Sequence, residues 1–457
     1  MEHHLPRLLI AAPASGHGKT TIASGLMAAL RRRGSDVAGF KVGPDYIDPG
    51  YHRLATGRPG RNLDPVLCGT ERIAPMLLHG AGVLHDAGGA DLAVIEGVMG
   101  LFDGKLGSDG FGSSAHVAAL TRTPVVLVVD ISHTSRTVAA WVHGLATFDP
   151  EVNVVGVILN KAGSSRHAAE ATRAMESVGV PVLGVLGRDA GVSAPSRHLG
   201  LVPVAERDEA AEVLERLADE IAEAIDLPAV ESLACKASPL AGAPWAAKTE
   251  VFRVSDDEPV VAVAGGRAFT FRYAETDELL TAAGCRVVEF DPLRDDQLPE
   301  GTAGLYLGGG FPEVYAEALA GNVALSHDIS TKMLAGLPTV AECAGMLYLG
   351  SKLGDHPMAG VLPATGAMQA RLTLGYRTGI APQDSLLGPA GTRVVGHEFH
   401  RTAMHPAAGS PPAWLLDGRA DGHANSTLHA SYLHLHWAGH PQLAQRFAEA
   451  VAGKESR

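Results

Sequence analysis

Ala11-Ala12-Pro13-Ala14-Ser15-Gly16-His17-Gly18-Lys19-Thr20-Thr21 is the stretch on which the reading of the N-terminal half turns. The apolar run Leu8–Ala12 reads as a buried strand before it, and Thr20–Arg33 reads as a helix after it. Strand, glycine-rich turn, Lys-Thr and helix together make a phosphate-binding loop, the P-loop. Backbone amides and the helix N-terminus surround phosphate oxygens, Lys19 reaches the outer phosphates, and Thr20 is placed to ligate Mg2+. Pro13 replaces the first glycine of GxxxxGK[ST]. Gly16, Gly18, Lys19, Thr20 and Thr21 keep the nucleotide-facing part, so ATP with Mg2+ is the expected cosubstrate.

Outward from this loop the chain alternates apolar runs with helical segments. Strands are expected at Val37–Val42, Leu92–Glu96, Pro124–Asp130, Val152–Leu159, Val182–Leu186 and Leu199–Val204. Helices fit Ser113–Leu120, Ser135–Leu145, His167–Val178 and Glu206–Ile225. Unbroken Val/Ile/Leu strands separated by helices imply an α/β fold whose parallel sheet is covered on both faces. Residues 226–258, with Pro228, Pro239 and Pro244, lose this rhythm and read as a linker between domains at 1–225 and 259–457. A second α/β rhythm follows. It has strands at Val260–Ala264, Arg286–Phe290, Leu305–Leu307, Pro338–Ala341 and Ala430–His436, a helix at Glu275–Ala283 and another from Pro441.

Polar residues collect where strands end. Glu96 closes an apolar strand, at the end of a parallel sheet where ligands bind, and is a candidate for the Mg2+ shell with Thr20 and Asp45. Asp48 and Tyr46, in Phe40-Lys41-Val42-Gly43-Pro44-Asp45-Tyr46-Ile47-Asp48-Pro49, are candidates for holding substrate or reaction intermediate. Asn160 and Lys161 can face the nucleotide base, since an amide offers a purine edge both donor and acceptor.

The second half centres on Val340-Ala341-Glu342-Cys343-Ala344-Gly345-Met346, which reads as strand, sharp turn and helix. A nucleophile on such an elbow is exposed, and a helix N-terminus lowers a thiol pKa. Cys68, Cys235 and Cys285 lack that context and read as structural. A thiol nucleophile needs a base. In Ala430-Ser431-Tyr432-Leu433-His434-Leu435-His436 either histidine can supply it, because a strand would put both on one face. Gly308-Gly309-Gly310 ends another strand, and the amides of Gly309 and Gly310 can form an oxyanion hole.

Composition bounds the partners. The 457 residues exceed one ordinary core. With 46% hydrophobic and 19% charged residues the chain is of globular type. A net charge of −13 argues against nucleic acid, which needs Lys/Arg patches, and Arg31-Arg32-Arg33 reads as a helix end. Four scattered cysteines without a CxxC pair suggest a reducing compartment. Residues 1–7 show no secretory signal, and no apolar run approaches the roughly 20 residues of a membrane helix. The expected location is the cytoplasm.

Taken together these segments resemble the cobyrinic/hydrogenobyrinic acid a,c-diamide synthases of vitamin B12 biosynthesis, over nearly the whole chain. The carriers are Phe40–Pro49, Gly308-Gly309-Gly310-Phe311-Pro312-Glu313, Ala341-Glu342-Cys343-Ala344-Gly345, Gly396-His397-Glu398-Phe399-His400 and Tyr432-Leu433-His434. The resemblance implies a P-loop NTPase domain of dethiobiotin-synthetase type and a class I glutamine amidotransferase domain. It implies that Cys343 attacks L-glutamine with His434 as base, and that ATP activates a corrin carboxylate as an acyl phosphate, which ammonia converts to an amide. The related cobyric acid synthases carry Tyr-Leu-His-Gly here, which favours His434 over His436. Many class I amidotransferases have Pro-Glu after the histidine. Leu435 and His436 stand there instead, so a Cys/His dyad is expected.

Alternatives stay in view. A cobyric acid synthase amidates other side chains of the ring, and a methanogen relative acts on nickel sirohydrochlorin. The Gly43–Pro49 segment and the domain sizes favour the a,c-diamide enzymes. The non-enzyme alternative is a P-loop switch protein with an inactive C-terminal domain. Against it, Ala14 stands where partition-type ATPases have an extra Lys, and Cys343 and His434 are intact. Ala-, Gly- and Arg-rich composition favours the cobalt-free corrin. The sequence allows a homodimer and does not specify one.

Overall fold

Seven strands pair parallel in the first half of the chain, and the central ones are unbroken apolar runs buried along most of their length. The computed structural model describes residues 2–83, 89–188, 196–197, 200–201, 204 and 209–454. They form two compact units, Met1–Trp245 and Ala246–Arg457.

In the first unit the strand order is Arg61–Leu63, Val37–Val42, Leu92–Glu96, Arg7–Ala11, Val125–Asp130, Val154–Ala162 and Val182–Gly187. Arg7–Ala11 comes first in the chain yet lies centrally, between Leu92–Glu96 and Val125–Asp130. The chain fills one side of it, then the other. The loop leaving Ala11 therefore opens at the point where the winding reverses, the usual ligand crevice of such sheets. Helix Lys19–Arg32 follows the loop and buries Ile22, Leu26, Met27 and Leu30 in one core with Leu217 and Ile221 of helix Ala210–Ala224.

Three expectations change. Leu199–Val204 does not extend the sheet. Gly200–Leu201 pairs antiparallel with Ser196–Arg197, and residues 199, 202 and 203 lie outside the described residues. Of helix Glu206–Ile225, the described part is Ala210–Ala224. The stretch read as a linker is largely folded. Leu227–Ala234 is a helix, capped by Asp226 Oδ1 accepting the Ala229 amide at 3.0 Å, and it buries Leu227, Val230 and Ala234. Pro228 misled the reading because it sits in the helix's first turn, where a missing N–H costs nothing. Leu240–Ala241 then pairs with Glu2–His3.

Arg7 fixes this return segment. It is fully buried, and its guanidinium donates to Leu5 O, Thr121 O, Thr123 Oγ1 and, at 2.6 Å, Ser238 O.

The second unit has a six-stranded sheet ordered Arg286–Phe290, Val260–Ala264, Thr302–Leu307, Thr339–Glu342, Leu428–Ser431 and His423–Ala424, parallel except for the last pair. A second sheet is built on the long hairpin of Thr365–Ile380 and Arg393–His405, which no periodicity announced. The expected strand Ala430–His436 stops at Ser431. Asp421 Oδ2 accepts the Ser431 hydroxyl at 2.6 Å and the Tyr432 amide at 3.2 Å, and Ser431 Oγ accepts the Leu433 amide at 3.0 Å. These bonds turn the chain off the ladder, and His434 re-pairs only locally, with His397.

Replacing Arg7 by Met keeps the apolar stem and leaves several buried carbonyls without a donor. Each unsatisfied group costs about 1–3 kcal/mol. Urea unfolding of Arg7→Met should show this unit destabilised by about 3 kcal/mol, with hydrogen exchange accelerated first in residues 235–245.

Candidate functional site

At the phosphate end, Gly18 holds a left-handed backbone (φ 94°) as the cap of helix Lys19–Arg32. A Cβ there would run into the Asn160 amide, so only glycine fits. The Lys19 ammonium donates to Ala14 O at 3.1 Å and Met99 O at 2.5 Å. Burial, then Lys41, pushes it down to about 8.

Beside it lies a buried charge cluster. Thr20 Oγ1 donates to Glu96 Oε1 at 2.5 Å and approaches Asp48 Oδ2 at 3.3 Å. The Lys41 ammonium sits on the same two oxygens, 2.5 Å from Asp48 Oδ2 and 2.7 Å from Glu96 Oε1. His52 Nε2 meets the other oxygen of Glu96 at 2.7 Å. Burial alone would raise Glu96, but Lys41 and His52 outweigh it and hold the carboxyl below its usual range. Asp48 is raised by burial and by Asp45 and Glu96. Asp45, expected as a metal ligand, uses Oδ1 to accept the Ile47 and Asp48 amides at 2.7 and 2.9 Å, starting helix Asp48–Thr56. Asp48 rather than Asp45 therefore faces Thr20 and Glu96. Tyr46 is half-buried between the two aspartates in sequence.

Asn160 and Lys161 both contact the P-loop. Strand Val154–Ala162 runs through both. Asn160 Nδ2 donates to His17 O at 2.9 Å and its Oδ1 accepts the Lys161 amide at 2.9 Å. Lys161 pairs with Asp130 at 2.7 Å and reaches Gly16 O at 3.3 Å. Together they clamp the P-loop.

At the thiol end, Cys343 has φ 47° and ψ −96° between strand Thr339–Glu342 and helix Ala344–Leu349. This is the strained elbow the sequence announced. Its amide donates to Ser431 O at 2.8 Å, tying it to the strand that leads to His434. The thiol is only 3% exposed. Burial, and next Glu313, push its pKa up, while a bond from the Ala344 amide pulls the other way. The expected lowering by the helix start is thus outweighed: the helix has six residues and the site is dry. His434 is also fully buried, and burial with His397 and His400 brings it down to about 3. Burial thus disfavours the charged form of both thiol and imidazole.

The glycine turn touches both halves of this pair. Gly308 O accepts the Gly345 amide at 3.0 Å, and a Cβ on Gly309 would run into His434 Cε1. The Gly309 amide, however, donates to Phe271 O at 3.1 Å. That removes it from the expected oxyanion hole and leaves the Gly310 and Ala344 amides as candidates. His436 goes elsewhere. It stacks on Tyr273, ring centroids 4.1 Å apart, with Glu275 Oε2 at 3.8 Å. The strand argument that gave the two histidines one face fails because the strand has already ended.

Comparison with known proteins bears on both halves. A family model described as CobQ/CobB/MinD/ParA nucleotide binding domain matches residues 8–202. One described as CobB/CobQ-like glutamine amidotransferase domain matches residues 260–442. A hydrogenobyrinate a,c-diamide synthase from Thermobifida fusca is 58% identical over 98% of this chain and 97% of its own. Another from Streptomyces coelicolor is 52% identical over 97% of each chain. The chain belongs to the a,c-diamide synthase family. A cobyrinate a,c-diamide synthase from Synechococcus sp., at 41% identity over 97% of this chain and 98% of its own, is a more distant member. The family's two halves, a nucleotide-binding α/β domain and a glutamine amidotransferase α/β domain, are those of a glutamine-dependent amidating ligase.

Several residues in these sites went unnamed in the sequence reading. Lys41 and Glu342 each interrupt an apolar strand with a charge, a signal that was there to use. His52, Arg377 and Arg419 gave none, because long-range folding alone brings them to Glu96 and Glu398.

Gly309→Ala should push the His434 ring aside. Glutamate release from glutamine is expected to fall about a hundredfold, as for loss of a positioned base. Nucleotide binding, measured on the same protein, should be unchanged.

Proposed function

We propose that this chain amidates the a- and c-carboxylates of a corrin, using ATP and L-glutamine, with cobalt-free hydrogenobyrinate as substrate. What carries the choice of corrin is the 58% identity to a hydrogenobyrinate enzyme against 41% to a cobyrinate enzyme, each over nearly the full chain.

Cys343 Sγ attacks the glutamine carboxamide carbon, and His434 takes the thiol proton. The oxyanion is held by the Gly310 and Ala344 amides. His434 returns the proton to the leaving nitrogen, ammonia departs, and water cleaves the thioester to glutamate. In the first unit Gly16, Gly18, Thr21 and the helix start hold the ATP phosphates. Lys19 leaves the Ala14 and Met99 carbonyls for the outer phosphates. The corrin carboxylate attacks the γ-phosphorus, ADP leaves, and ammonia then displaces phosphate from the acyl phosphate. Activation is needed because oxide is a poor leaving group.

Thr20 Oγ1, Asp48 Oδ2 and Glu96 Oε1 converge as hard oxygen donors of the kind Mg2+ takes, and these residues would hold it. Bound there it would neutralise phosphate charge. Lys41, now on the same oxygens, would then be free to face the substrate carboxylate, with Tyr46 on the substrate side. Among the described residues no helix is long and apolar enough to cross a membrane. We place the protein in the cytoplasm, acting without nucleic acid, and a homodimer is compatible with this reading.

Hydrogenobyrinate and cobyrinate, incubated separately with enzyme, ATP and glutamine, test the assignment by mass. Two amides should form on hydrogenobyrinate; preferential use of cobyrinate would refute the choice of corrin. Cys343→Ala should lose amidation from glutamine and keep amidation from ammonium salts. Lys41→Met removes the ammonium that competes for the metal oxygens. Nucleotide-free Lys41→Met should bind Mn2+ about tenfold tighter, a change of ~1.4 kcal/mol, while amidation is lost. Equal or weaker Mn2+ binding would refute the role given to Lys41.

A further inference from the structure

A thiol–imidazole pair works best when a third group fixes the imidazole and stabilises it once charged. Two carboxylates lie close enough to His434 to be considered. Glu398 has both oxygens engaged, Oε2 by Arg377 Nε at 2.7 Å and Oε1 by Arg419 Nη2 at 2.8 Å. Its charge is already matched. Glu342 differs. It precedes the nucleophile on strand Thr339–Glu342, pairs in register with Ser431, and brings Oε2 to 3.9 Å from His434 Nδ1. Its carboxyl is held by neutral donors, the Tyr306 hydroxyl, the Leu435 amide and the Trp437 side chain, which fix its place without a cation matching its charge.

On the amidotransferase reading above, we infer that Glu342 is the positioning residue that orients His434, accepting from Nδ1 and so directing Nε2 to the thiol. The present 3.9 Å exceeds a hydrogen bond, and catalytic contacts of this sort are commonly long before substrate arrives. Contraction is driven by charge. Burial disfavours charge on each group alone, lifting Glu342 to about 8 while it lowers His434. Once both are charged, carboxylate and imidazolium attract each other across a low-dielectric gap. Strand pairing supplies the precision: Glu342 and Cys343 are consecutive, and the Cys343 amide is bonded to Ser431 O, three residues before His434. Acid, nucleophile and base are therefore set by one pair of strands.

Glutamine hydrolysis by wild type, Cys343→Ala, Glu342→Gln, Glu342→Ala and Glu342→Asp tests this, with thermal unfolding as the check on folding. Glu342→Gln and Glu342→Ala should lower kcat about a hundredfold, within the range of a positioned acid–base group. KM for glutamine should stay within about threefold, and Glu342→Asp should recover part of kcat. A kcat within about threefold of wild type in Glu342→Gln overturns the assignment. So does a loss in all three variants that follows thermal stability, or one that lies in KM. If wild type releases no glutamate, or Cys343→Ala still releases it, the amidotransferase reading falls and this inference with it. An active wild type with an inactive Cys343→Ala keeps that reading, whatever the Glu342 variants do.

Discussion

Glu96, sealed from water at the end of a central strand, stays ionised only because Lys41, His52 and Thr20 face it within hydrogen-bond distance. An isolated buried carboxylate would take up a proton instead. Much of the first unit follows from satisfying that one charge. His52 must be brought over on helix Asp48–Thr56, so the segment after Val37–Val42 has to turn at once into a helix. Asp45 makes that turn, its Oδ1 accepting the Ile47 and Asp48 amides. Asp48 then arrives on the same side as Glu96, and the two acids share one ammonium. A motif that looks like a Pro/Asp turn in sequence is the frame of a charge cluster.

The second unit solves a different problem, that of placing two neutral groups. Cys343 and His434 leave neighbouring parallel strands at the same end, so the sheet sets their separation to the nearest strand spacing. Finer placement comes from the turn at Asp421, Ser431 and Tyr432, which breaks the ladder and sends His434 to His397 while His436 passes to Tyr273.

The sequence was most legible where function forces a local pattern. The P-loop, the Cys343 elbow and nearly every parallel strand are local, and each lies where its pattern put it. Legibility failed where the cause is distant. Alternation could not see that Asp421, ten residues away, ends the strand at Ser431. Composition could not see that Pro228 begins a helix. Donor counting could not see that Asn160 spends one amide hydrogen on the P-loop carbonyl at His17. The same holds for Gly309, whose amide answers Phe271. In each case a group with the right chemistry for a ligand has a protein partner that only the tertiary fold reveals.

Both units share one resting logic. Lys19 lies on the Ala14 and Met99 carbonyls, Lys41 on the two acids, and burial disfavours charge on the thiol and imidazole. The two lysines would reach their working state when substrate oxygens displace these internal acceptors. For a reaction that consumes two activated compounds, this is a physical safeguard. A standing thiolate would hydrolyse glutamine continuously, and a P-loop lysine held outward would favour idle ATP cleavage. On the amidotransferase reading, burial of Cys343 and His434 would tie ammonia release to the moment when the pair charges together.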